Sequence, residues 1–69
     1  MTEFGQRLKK VLHDKGMTYG ELASKCYISE NIIHYYINKG VLPNYDYLKS
    51  ICQVLGVSAD YLMGLEDEQ

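Results

Sequence analysis

The feature that most constrains this chain is a pair of helix starts set close together. Thr18-Tyr19-Gly20-Glu21 fits the S/T-x-x-E pattern, in which the Thr18 hydroxyl takes an early helical amide and Glu21 reaches back to the amide of Thr18. A helix beginning there puts Leu22, Ala23 and Cys26 on one side, the spacing of a buried stripe. Ser29 is then placed as the next N-cap, with Ile28 before it as a staple toward Ile33, so Tyr27-Ile28-Ser29 must break the first helix almost at once. Two short helices, about 19-26 and about 30-38, therefore meet at a tight joint. Such a joint fits a helix-turn-helix better than an antiparallel hairpin.

The flanking sequence reads as helical too. Phe4, Leu8, Val11 and Leu12 recur at helical spacing, with Thr2 before them and Lys15-Gly16 as the stop. Asn44 after Pro43 caps a fourth helix that carries Leu48, Ile51, Cys52 and Leu55 and ends at Gly56. Ser58 caps a last one with Tyr61 and Leu62, whose reach as far as Leu65 the pattern leaves open. No stretch alternates as a strand does, so the expectation is an all-α fold of five helices. Its domain runs over residues 1-65, followed by an acidic tail, 66-69, that stays solvated.

With 69 residues there is room for one domain, and 46% hydrophobic with 23% charged residues is the balance of an ordinary globular protein. The opening MTEFGQRLKK has acid and base where a secretion signal would need an apolar run, and no uncharged stretch reaches membrane-spanning length. The expected location is the cytoplasm, without membrane association. Cys26 and Cys52, the only thiols, fall on apolar helix faces and read as core residues rather than as a disulfide. His13 and His34 have no metal spacing with either thiol, and no Ser, His and acid grouping marks a nucleophile. No enzyme activity, cofactor, metal or small-molecule ligand is expected.

Over nearly its whole length the chain resembles the phage-repressor and Cro-like (XRE-type) helix-turn-helix family. The stretches that carry the resemblance are FGQRLKKVL, MTYGELASK, ISENI, the Pro43-Asn44 helix start and LKSICQVLGVSADYLMGLED. The resemblance implies a lambda-repressor-like fold whose third helix lies in the major groove of double-stranded DNA while the start of the second holds a phosphate. It assigns base reading to Glu30, Asn31, His34 and Tyr35. Asn31 would pair with adenine, Glu30 would accept from a cytosine amino group, and His34 would donate to guanine or a phosphate. Thr18, Tyr19, Lys25, Asn38 and Lys39 would face phosphates. It also implies a homodimer formed near the last helix, at Val57, Tyr61, Leu62 and Leu65, although the core needs the same apolar side chains. Spacing alone makes the polar face of helix 3 no more than a solvated surface.

Several positions depart from the family pattern. Tyr19 stands where Gln is common, keeping a hydroxyl but losing the amide fork. Tyr27 stands where Gly often supplies a left-handed turn, so either Tyr27 is strained or the turn differs. Leu12 and Ile37 replace an Arg and Glu pair, an exchange that is neutral when both partners leave together, and they are expected to touch. Helix 3 has no Lys or Arg between Ser29 and Asn38, and the formal net charge is -2, so non-specific affinity for DNA should be low. Of the seven Tyr, Tyr36 and Tyr61 suit the core, while Tyr19, Tyr27, Tyr35, Tyr45 and Tyr47 cannot all be buried. The expected function is a sequence-specific transcriptional regulator, a repressor, acting as a dimer on a pseudo-palindromic operator. The alternative is an interaction module that presents the Tyr-rich face of helix 3 to another protein, with little or no DNA binding.

Overall fold

The first helix, α1 (Glu3–Lys15), begins where the Thr2 hydroxyl accepts the amide of Gly5 at 3.1 Å. It ends at Gly16, whose left-handed backbone (φ 65°) returns its N–H to the carbonyls of Leu12 and His13. Its buried face is Phe4, Gly5, Leu8, Val11 and Leu12. Each such Leu or Phe contributes about 1.5–3 kcal/mol by leaving water. In this computed structural model residues 2–67 are described. Of the expected domain Met1, and of the expected tail Glu68 and Gln69, lie outside the described residues.

The second helix, α2 (Tyr19–Cys26), carries the full capping box. Glu21 N–H donates to Thr18 Oγ1 at 3.0 Å, and Thr18 N–H donates to Glu21 Oε1 at 3.1 Å. It stops at Tyr27, which takes the left-handed conformation (φ 58°, ψ 40°), and the turn closes as Ile28 N–H donates to the Ala23 carbonyl at 3.0 Å. The turn is therefore the one Gly would make, with a tyrosine bent into it. Ser29 caps α3 (Glu30–Asn38) through the amide of Ile32, and Asn44 caps α4 (Tyr45–Leu55) through that of Tyr47. After the left-handed Gly56, Ser58 caps the short α5 (Ala59–Leu62). Leu65 falls beyond that helix and is exposed.

These five helices, with no strand among the described residues, form an all-α, lambda-repressor-like fold. The helices α1 and α3 pack together, α2 packs against α3 and α4, and α5 closes the end against α1 and α4. The crossing of α1 over α3 is close because residue 5 is glycine, since a Cβ there would run into the Tyr36 carbonyl oxygen. Beside that crossing the Phe4 and Tyr36 rings meet edge to face, centroids 5.6 Å apart. Leu12 and Ile37 are both buried in this single core, where apolar side chains leave no buried charge to be paired. Cys26 is buried and Cys52 half-buried, both free. Burial pushes both thiols up from their ordinary range, which keeps them protonated and weak as nucleophiles or metal ligands.

The expected solvated tail is tethered where it can be followed. Arg7 donates to the Tyr61 carbonyl at 3.1 Å and to the Glu66 carbonyl, and it lies over the Tyr61 ring. The same guanidinium pairs with Glu3 at 3.0 Å and Asp67 at 3.4 Å, and Ser58 donates to Glu66 Oε1. Glu66 and Asp67 are thus exposed yet held, because an arginine on α1 offers charged donors to the Glu66 carbonyl and to the Tyr61 carbonyl, which also accepts the Gly64 amide.

Candidate nucleic-acid interface

The core takes Ile33, Tyr36 and Ile37 from α3, which turns Glu30, Asn31, Tyr35 and Asn38 outward as exposed residues and leaves His34 half-buried. The four expected base-reading side chains therefore share the outer side of one rigid helix. This follows from the helical period and from Ser29, which sets where the period begins.

Two of these α3 positions, Glu30 and His34, are linked to the start of α2. His34 Nε2 lies 3.2 Å from Glu30 Oε2, one turn away on α3. On the other side of His34 the Tyr19 ring meets the imidazole edge to face, centroids 4.7 Å apart at 73°. The other Glu30 oxygen, Oε1, lies so close to Gly20 that a Cβ there would stand 2.9 Å from it. Glycine at residue 20 thus lets the carboxylate lie against the first turn of α2. The pairing of Glu30 with His34 could be read from their spacing along a helix. The Tyr19 contact and the role of Gly20 cross between helices, and no local pattern signals them.

The first turn of α2 also has donors to offer. The capping box occupies the amides of Thr18 and Glu21, whereas those of Tyr19 and Gly20 have no partner within the helix. A helix start of this kind favours an anion, and the Glu30 carboxylate already brings negative charge to it. Thr18 is exposed and Tyr19 half-buried at this end. Lys25 is exposed near the other end of α2, about 10 Å along the axis from Thr18. Asn38 closes α3 and Lys39 follows as its C-cap, both exposed. The expected phosphate residues thus lie at the start of α2 (Thr18, Tyr19), near its end (Lys25) and at the end of α3 (Asn38, Lys39).

The residues expected at a dimer surface divide sharply. Val57, Tyr61 and Leu62 are buried within the protomer, while Leu65 is 78% exposed. An apolar groove of about 220 Å³ runs elsewhere, between α4 and the start of α5, lined by Tyr45, Leu48, Lys49, Cys52, Gln53 and Ala59. Among the described residues no three His, Cys, Asp or Glu are grouped as metal ligands, and no helix is long and apolar enough to cross a membrane.

Two short capped helices joined by a left-handed turn, the second turning a polar face outward, define a helix-turn-helix domain. The chain matches the family model described as a helix-turn-helix domain over residues 5–68, and it belongs to that family, of the XRE/Cro-like kind. Domains of this kind bind DNA. A search of curated proteins finds no match.

Proposed function

We propose that the protein is a sequence-specific transcriptional repressor of the cytoplasm that acts as a homodimer on a pseudo-palindromic operator. The observation that carries this reading is the outward face of α3, where Glu30, Asn31, His34 and Tyr35 are held by the packing of α3 on α1 and α2. Such a face enters the major groove, and each good base pairing there is worth about 1–3 kcal/mol of discrimination. Asn31, exposed on α3, reads adenine, and Glu30 accepts from cytosine. Thr18, Tyr19, Lys25, Asn38 and Lys39 set the register on the backbone. One helix reads too few base pairs for tight binding, and a second copy about one helical turn away supplies the rest.

Selection of bound duplexes from a random DNA pool tests this, followed by the same selection with Asn31→Ala. The wild type should enrich a motif with two related halves, and the variant should lose preference at one base in each half. A motif retained with unchanged preference would remove Asn31 from base reading.

A second reading is favoured by the exposed tyrosines and the acidity of the head. Tyr27 is 95% and Tyr35 51% exposed, and Glu30 opposes a phosphate at the start of α2. Under it, this face docks a protein instead, and the selection enriches nothing.

A further inference from the structure

The contacts around His34 give it a second property. Its Nε2 faces the Glu30 carboxylate at 3.2 Å on its own helix, and from α2 it faces the uncharged phenol ring of Tyr19. The one carboxylate of α2, Glu21, is engaged by the amide of Thr18. The side of α3 toward α1 holds the apolar core residues Ile33 and Ile37 with Tyr36. Glu30 is thus the one charged group brought to the imidazole by these contacts.

Glu30 is tolerable in the free protein because water solvates its half-exposed carboxylate. Pressed into a groove lined with phosphates, it loses that water and meets charge of its own sign, which is costly unless a positive partner is at hand. Imidazole is the ordinary side chain that gains charge between about pH 8 and pH 5, and here it already lies at ion-pair distance. A protonated His34 makes the pair neutral and adds attraction for the phosphates.

We propose that Glu30, His34 and Tyr19 form a proton-linked reading unit: DNA binding is accompanied by protonation of His34, with the Tyr19 ring as the positioning residue that holds the imidazole over Glu30. This rests on the DNA-binding reading above and adds a condition to it. Because the bound state takes up a proton, the gain in affinity is present at low pH and is lost as pH rises. The unit also reads as one, so Glu30 and His34 do not contribute independently.

The test is fluorescence anisotropy on the selected duplex at fixed salt, between pH 6 and pH 8. Wild-type affinity should rise by about tenfold toward pH 6, the equivalent of one unit of proton-binding preference. Both Glu30→Gln and His34→Gln should have flattened profiles, whereas the wild type keeps its slope. Tyr19→Phe keeps the ring and should keep the slope, whereas Tyr19→Ala should lose most of it. His13→Gln, on the exposed side of α1, should leave it unchanged. A flat wild-type profile, or a slope that survives His34→Gln, overturns the unit while leaving DNA binding intact. Absence of binding to any duplex at every pH and salt concentration contradicts the DNA reading itself and takes the unit with it.

Discussion

Tyr27 sits at the one position where a side chain works against the backbone. Its φ of 58° is the only positive value at a non-glycine residue among those described, and its ring is 95% exposed, so no packing offsets the conformation. A left-handed residue with a Cβ costs about 1–2 kcal/mol, and glycine would return part of the gain through the greater freedom of the unfolded chain. Tyr27→Gly should therefore stabilise the domain by about 0.5–1 kcal/mol, seen as a higher urea midpoint at unchanged slope. A lower midpoint would mean that the ring makes contacts in solution. Sequence reasoning left two outcomes open here, strain or a different turn. The second is excluded by the left-handed backbone of Tyr27 and by the Ile28 amide reaching Ala23, features of the backbone that residue types do not announce.

Among the elements, α1 does more than supply one side of the core. Arg7, with its side chain only 17% exposed, ties α1 to the Tyr61 carbonyl within α5 and to the Glu66 carbonyl beyond it. Its bonds to carbonyls count for more than its pairs with exposed carboxylates, which water and salt weaken. Arg7→Gln should cost about 1–2 kcal/mol, and hydrogen exchange should speed up at the amides of residues 62–66 more than in α2 or α3. Uniform acceleration would show that Arg7 supports the whole fold rather than this closure. The elements themselves were legible because each begins with a capping side chain, Thr2, Thr18, Ser29, Asn44 or Ser58, and each carries an apolar stripe. The Arg7 closure was not, since its partners are carbonyls far along the chain. For the same reason the outward position of Glu30, Asn31 and Tyr35 followed from period alone, whereas the Tyr19–His34 contact needed the packing of two helices. Val57, Tyr61 and Leu62 show the converse limit. An apolar pattern says that a side chain leaves water, not whether its own core or a second protomer covers it.

For the whole molecule, a net charge of -2 means that, on the proposed reading, phosphate contacts are few and selectivity depends on two copies acting together. Leu65 is the expected dimer residue that the protomer leaves exposed, and Leu65→Asp should shift sedimentation equilibrium toward monomer. It should change monomer stability by no more than about 0.5 kcal/mol, as surface substitutions do. An unchanged dimer would move the interface away from the end of α5. The central claim, that this helix-turn-helix engages DNA through the outer face of α3, is tested most directly by binding to the selected duplex across a salt series. On the proposed reading, with Lys25 and Lys39 each on a phosphate in both protomers, the logarithm of affinity should fall with that of salt at a slope of roughly -3 to -4. No binding even at low salt, or affinity independent of salt, would contradict it.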